Sequence, residues 1–246
     1  RDDAGSLVFE TGPLEQALEM VGDAIVEIAF SADRPVAQIA ARLIDVAPDG
    51  AATRVSYGLC NLTHRDSHEN PAPLEPGLTY TAHIQLKHVA QIFRAGHRLR
   101  LSLSTSYFPV AWPSPEDATV TVIAGTSRLH LPLRLKGGDE PRDLGTPRGA
   151  SEMEFEPIEP ARADLETWGR TEEKYGFDAE DYQSPWAAVT SDYGMARGAW
   201  AVRSRTETSF TATTRDFVVV ARLRAWEGDE LVHEESWDFK VPRHLA

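Results

Sequence analysis

A single cysteine, Cys60, stands among 246 residues, so no internal disulfide framework can form. That usage fits a reducing compartment, and a cytoplasmic location is expected. Cys60 itself reads as a small apolar residue of a strand or loop rather than as a reactive thiol. Long apolar runs are lacking as well. The densest cluster, Phe217–Ala221, falls far short of the roughly 18–20 residues that cross a bilayer as a helix, so no membrane association is expected. Basic charge is scarce: 25 Lys and Arg stand against 38 Asp and Glu, a formal charge of −13. A nucleic-acid or anionic-membrane partner would need a basic stripe to neutralise phosphates, and none is present. There is neither a signal peptide nor an initiator methionine. The chain opens Arg1-Asp2-Asp3, as though cut from a longer protein.

The residues of catalysis are sparse too. A serine hydrolase on an α/β fold places its nucleophile in Gly-x-Ser-x-Gly at a strand-to-helix elbow, and no such stretch occurs. Ser6 follows Gly5 and Ser127 sits in an expected hairpin, but neither has the flanking glycines. His64 and His68 are four apart, a spacing that grips zinc on a helix. Asn70-Pro71 and Pro73 follow at once and no apolar helical stripe runs through the segment, so a polar loop is the better reading. His83, His88, His97, His130, His233 and His244 have no ligand spacing, and Lys136-Gly137-Gly138 lacks the context of a phosphate-cradling loop. Acid pairs such as Glu152/Glu154 and Asp178/Asp181 are most simply solvated faces in so acidic a chain. No catalytic residue, metal or cofactor is expected from these residues alone.

What is present is the punctuation of a β protein. Leu7–Phe9, Ala24–Phe30, Gln38–Val46, Thr53–Tyr57, Thr79–Leu86, Arg98–Ser104, Thr119–Ile123 and Arg128–Leu133 read as strands bounded by turn chemistry. In Arg98–Ser104, Leu99, Leu101 and Leu103 point one way and Arg98, Arg100 and Ser102 the other. Pro48-Asp49-Gly50 is a tight-turn signal, and Gly125-Thr126 reads as a hairpin between the last two strands. Strands every ten or so residues favour a sandwich over a parallel α/β sheet.

Between about 136 and 190 the composition shifts to glycine, proline and alternating acids, which reads as an extended segment wrapping the sandwich. Trp168, Tyr175, Phe177, Tyr182 and Trp186 would pin it down. A closing meander follows in Gly198–Ser204, Ser209–Thr213, Phe217–Trp226 and Glu230–Val241, with a hairpin at Glu227-Gly228-Asp229. One domain over 1–246 is expected, in three parts: strands to 135, the wrap over 136–190, and the meander over 191–246.

Several segments resemble the C-terminal domain of serine hydrolases of the cocaine-esterase and X-prolyl dipeptidyl-peptidase type, the CocE/NonD family. They are Leu7–Leu14, Ala40–Gly50, Pro73–Tyr80, Val89–Leu101 and Ser106–Pro109, with Ala225–Leu231 and Val241–Leu245 at the close. The block Pro-Leu-Glu-Pro-Gly over 73–77 and Ala-Gly-His-Arg-Leu-Arg-Leu over 95–101 is the most specific.

The resemblance implies an all-β, jelly-roll (galactose-binding-like) β-sandwich with a long extended insertion, packed on an α/β-hydrolase domain of the same parent chain. That upstream domain would supply the Ser, Asp and His, so this chain alone would be no enzyme. It would stabilise the hydrolase domain and shape its cleft for a small ester or peptide, with Cys60, Asn61, Thr63, His64, Arg65, Ser106, Tyr107, Phe108 and Trp112 as the cleft or domain-interface loops. A different reading is a stand-alone carbohydrate- or ligand-binding jelly roll using Trp112, Trp168 and Trp186 as platforms.

Overall fold

Short apolar alternations separated by turns fold into antiparallel strands throughout the computed structural model, which describes residues 5–134 and 164–245. Ten strands come first: β1 (Leu7–Glu10), β2 (Leu18–Gly22), β3 (Ile25–Ala32), β4 (Gln38–Val46), β5 (Ala52–Asn61), β6 (Tyr80–Gln85), β7 (Val89–Phe93), β8 (Arg98–Ser104), β9 (Val120–Val122) and β10 (Arg128–His130). They assemble as a sheet β1-β8-β4-β5, a sheet β10-β3-β6 with β9 also on β3, and a β2-β7 pair. The all-β sandwich expected from the strand spacing is what forms.

The core lies between the two larger sheets. Ile39, Ala41, Leu43, Leu99 and Leu103 of the first meet Ile28, Phe30, Ala82 and Ile84 of the second. Each large apolar side chain buried there stabilises the fold by about 1.5–3 kcal/mol. The β8 leucines face inward as their alternation requires, while Arg100 turns outward to pair with Glu10 of β1 at 2.7 Å. The turn after β4 also forms as read. Gly50 takes φ +88°, its N–H reaches the Ala47 carbonyl at 2.9 Å, and the Asp49 carboxylate accepts from Ala51 N–H.

β2 and β7, which pair Leu18 with Phe93 through Gly22 with Val89, went unrecognised because five residues hold too few apolar positions to show a period. Gly125-Thr126 is not a hairpin. β9 pairs with Phe30–Ala32 and β10 with Ile25–Glu27 of the same strand, so the chain runs straight on along β3 through a 3₁₀ turn at Ala124–Thr126. The Ser127 hydroxyl fills that gap by accepting the Ala29 N–H at 3.1 Å.

Residues 135–163 lie outside the described residues, as do the glycines, acids and prolines read there as extended chain. Beyond them the chain is not a wrap but two long strands, β11 (Glu166–Asp178) and β12 (Asp181–Arg197). With β13 (Trp200–Ala212), β14 (Asp216–Glu227) and β15 (Glu230–Pro242) they make a five-stranded meander in chain order. Gly198–Ser204 and Ser209–Thr213 are thus pieces of one strand, β13, whereas the β14–β15 hairpin turns at Gly228 as expected.

Glycine explains why the first hairpin was hard to read. A Cβ on Gly176 would meet the Trp186 indole at 2.7 Å, and Gly169 and Gly194 are covered in the same way by Tyr193 and Trp168. Each ring lies flat on the neighbouring strand, where it covers backbone that glycine leaves bare. Trp168 and Trp186 therefore stabilise their own sheet instead of pinning a loop to the sandwich. The Tyr182 side chain lies outside the described residues.

The two faces of this sheet differ. Cross-strand partners share a face, and one face carries a run of ion pairs. Arg203 holds Asp192 with Nε–Oδ1 at 2.7 Å, Arg205 and Arg224 both hold Glu207, and Arg222 holds Glu234. The hydrogen bond from Arg203 keeps the Asp192 carboxyl below its ordinary range. Burial pushes the Glu207 carboxyl up, but its bonds from Arg205 and Arg224 outweigh that and leave it lowered. The other face is apolar: Val189, Phe210, Phe217, Val219, Leu223, Trp237 and Phe239 line it.

Candidate interface site

The end of β5, the 3₁₀ turn that follows it and the loop after β8 hold all nine residues singled out from the sequence, and each packs in its own way. Cys60 is half-buried against the core, and burial pushes its thiol up to about 11, which leaves it protonated at neutral pH. Asn61 caps the 3₁₀ turn Leu62–His64: its side-chain oxygen accepts from Thr63 N–H at 3.1 Å, and its Nδ2 donates to the Leu245 carbonyl at 2.7 Å. The Thr63 hydroxyl is buried 2.9 Å from the same carbonyl.

His64 and His68 do meet, with Nδ1 atoms 3.3 Å apart. No third ligand joins them, and among the described residues no group of three or more His, Cys, Asp or Glu side chains is placed to hold a metal ion. Arg65 clamps the loop, donating to the Leu62 and Ala72 carbonyls with its guanidinium 4.2 Å from the Tyr80 ring centroid.

The second loop folds back over the outer face of β4. Tyr107 covers the buried Arg42, 4.9 Å from its guanidinium, and also contacts Tyr57 edge-on and Arg54. Arg42 donates to the hydroxyls of Ser6, Ser102 and Ser104, and the Ser104 hydroxyl in turn donates to the Ser106 carbonyl. Phe108 and Trp112 turn the other way, onto the apolar face of the five-stranded sheet. Phe108 meets Tyr175 and Phe177 edge-on, and Trp112 meets Phe210 with ring centroids 4.4 Å apart. The Trp112 carbonyl is held by Gln38 Nε2 at 3.0 Å.

Asn61, Thr63, Phe108 and Trp112 contact the C-terminal part of their own chain. The other half of this contact was missed. In the sequence Phe210 and Phe217 fall only within the expected strands Ser209–Thr213 and Phe217–Trp226, and Arg243 only within the closing segment Val241–Leu245. Arg243 is 4 % exposed, donates to the carbonyls of Thr213 and Pro113, and lies 4.8 Å from the Phe217 ring. Burial pulls its pKa down. Beside this junction a polar cleft of about 420 Å³ opens between Ser104–Ser106, Ser114, Glu116, Asp117 and Gln183. A slot of about 270 Å³ between the sandwich sheets, around Phe9, Ile28, Leu101 and Leu129, involves none of the nine.

The chemistry open to these groups is limited. His97 pairs with Asp45 at 2.8 Å and His88 with Asp23 at 2.8 Å, the base half of a nucleophilic triad. Among the described residues no serine, threonine or cysteine side chain hydrogen-bonds a histidine, so neither base has a nucleophile. These features define an all-β sandwich joined to a five-stranded sheet, with no activated nucleophile among its described residues.

The comparisons give that class its family. The family described as X-Pro dipeptidyl-peptidase C-terminal non-catalytic domain matches residues 1–141, and the chain belongs to it. Cocaine esterase from Rhodococcus sp. (strain MB1 Bresler) is 30% identical over 109 residues, 44% of this chain and 19% of that protein. Among solved structures, an α-amino acid ester hydrolase superposes with a TM-score of 0.50 at 25% identity, covering 55% of this chain and 26% of that one. An aminopeptidase from the marine sediment archaeon Thaumarchaeota archaeon shares the fold at TM-score 0.50 and 23% identity, with the same coverage. The chain therefore spans about a fifth of the esterase and about a quarter of either structure. The family match ends at residue 141, so the five-stranded sheet lies beyond it.

Proposed function

We propose that this chain is the accessory β part of a serine hydrolase of the cocaine-esterase and X-prolyl dipeptidyl-peptidase type, acting in the cytoplasm. It stabilises an α/β-hydrolase domain and shapes the substrate cleft, and its sandwich is read as a jelly roll. The observation that carries this reading is the family match over the sandwich. The description of that family as a non-catalytic C-terminal domain supports it. So does the five-stranded sheet, whose apolar face leaves Tyr193, Met195, Trp200 and Phe239 exposed, a surface suited to a protein neighbour. The polar cleft at the sandwich–sheet junction is the place where such a neighbour would complete a substrate pocket.

The test has two arms. The purified chain should neither hydrolyse a chromogenic ester or an X-prolyl anilide nor react with a serine-directed fluorophosphonate. The reading frame around Arg1 should encode a Gly-x-Ser-x-Gly elbow upstream, and the catalytic part produced from it should gain thermal stability when the chain is added. Turnover by the chain alone, or a frame without the elbow, would defeat the reading. Retention of glycans on an array would favour an independent carbohydrate-binding module.

A further inference from the structure

Strand β11 is an open edge, and its sequence fits a second copy of itself. All its residues are exposed except the half-buried Gly176, and among the described residues no strand lies beside its outer backbone donors and acceptors. Natural edges of this length are blunted by proline, by bulges, by cover or by charged side chains, and the charges of β11 include both signs, Arg170 and Lys174 with Glu172 and Glu173. β11 has no proline, and its pairing with β12 runs without a bulge from Glu166 to Gly176.

An edge strand can extend its sheet across a two-fold axis perpendicular to it, pairing antiparallel with its own copy. Side chains keep their face only if the axis passes through a residue rather than between two, which leaves few registers. With the axis at Thr171, Arg170 of each copy faces Glu172 of the other, Trp168 faces Lys174, and Thr167 faces Tyr175. Each pair occurs twice. Moving the axis to Glu172 would set Glu172 against itself and Arg170 against Lys174, a repulsive arrangement.

The free chain is poised for the first register. Arg170 has no hydrogen bond or ion pair among the described residues, since its cross-strand neighbour Asp192 is taken by Arg203 and Arg205. Glu172 is approached only by Lys174 of its own strand, at 3.2 Å, and has acceptor sites to spare. Trp168 lies over Gly194 with half its surface open, ready to receive a lysine ammonium on its face.

The other edge, β15, is less suited. Its best register places Glu234 opposite Lys240, but Arg222 already holds Glu234, and Pro242 removes a donor from the end of the strand. The junction with the sandwich also permits β11 pairing. Phe108 touches β11 at Tyr175 and Phe177, so an antiparallel partner places its own sandwich at the opposite end. With four residues on either side of Thr171, the two Tyr175 positions stand roughly 27 Å apart along the strand.

We propose that the chain forms a two-fold homodimer through β11, which joins two five-stranded sheets into one of ten. The contact is a strand edge and not a broad face, so the dissociation constant falls on the order of 10 µM.

Sedimentation velocity on the 246-residue chain, from about 1 to 200 µM, should show a monomer–dimer equilibrium. Arg170→Glu and Glu172→Arg should each weaken it about tenfold, because each converts two attractive pairs into two repulsive ones. The double variant Arg170→Glu/Glu172→Arg should recover the parent affinity. Thr171→Cys should form a disulfide-linked dimer under mild oxidation, since facing Cα atoms on paired strands lie about 4.5–5.5 Å apart, within disulfide range. Trp237→Cys, at the other edge, should not. A chain that stays monomeric, single variants without effect, a double variant that stays dissociated, or cross-linking through position 237 instead would each overturn the proposal. Arg170, Thr171 and Glu172 are exposed and Trp237 is half-buried, so circular dichroism should show the fold intact in the β11 variants and is the check that Trp237→Cys is folded before its cross-linking is read.

Discussion

Gly58 offers the sharpest test of how the two sandwich sheets meet. It lies in β5, and a methyl group built on it falls inside contact distance of the Gln85 carbonyl oxygen. The Gln85 carbonyl carbon and Leu86 Cδ2 follow at 3.0 Å. The obstacle is backbone at the end of β6, in the opposite sheet, and cannot swing aside as a side chain would. On either side the two segments are tied: Lys87 N–H donates to the Tyr57 carbonyl at 2.9 Å and the Ser56 hydroxyl to the Lys87 carbonyl at 2.6 Å. Gly58→Ala must part these segments by about 1 Å, which adds overpacking of about 1–3 kcal/mol to the weakening of two hydrogen bonds worth about 1 kcal/mol each. The sum is about 3 kcal/mol, or a melting point lower by about 6–12 °C in a chain of this length. Gly125→Ala is the matched control, because a Cβ there meets nothing within 4 Å and its φ is not positive. Calorimetry and urea titration of both variants measure the difference. If Gly58→Ala melts within about 2 °C of the parent, the close approach of β5 to Gln85 is not what the structure says.

Other expectations follow from the same geometry. A double-mutant cycle on Trp112→Ala and Phe210→Ala should return a coupling of about 0.5–1.5 kcal/mol in thermal unfolding, and a coupling of zero would mean that the rings do not meet in solution. Asp192 and Glu207 titrate below their ordinary range in the folded sheet, so their contribution is complete above the unfolded-state values. It is lost as pH falls through the lowered folded values, so stability should drop below about pH 4, and Asp192→Asn should flatten that drop in acid unfolding followed by circular dichroism. Cys60, with its thiol near 11, should be alkylated by iodoacetamide far more slowly in the native chain at neutral pH than in urea. Equal rates would show that the thiol is not shielded.

What the sequence could reveal was whatever depends on neighbours a few residues away. The alternation in Arg98–Ser104 places three leucines on one face whatever they pack against. Pro48-Asp49-Gly50 and Glu227-Gly228-Asp229 turn because of their own backbone preferences. The resemblance carried by 73–77 and 95–101 rests on such local scaffold residues, which is why it pointed correctly to an accessory β domain.

Partners distant along the chain were hidden. Whether Gly125-Thr126 reverses the chain or continues along β3 depends on which strand β9 and β10 pair with, about a hundred residues earlier. The β11–β12 hairpin carries glycines and acids that read as loop, whereas in the sheet Trp168, Trp186 and Tyr193 cover those glycines from adjacent strands. Tyr175 and Phe177 read as anchors on the sandwich and do meet Phe108 of its loop, but the pairing of Trp112 with Phe210 was hidden, since side-chain period is local whereas strand register is set by long-range pairing. Local chemistry determined the class of this protein, and its tertiary structure alone decided which surfaces face each other and which edge is left open.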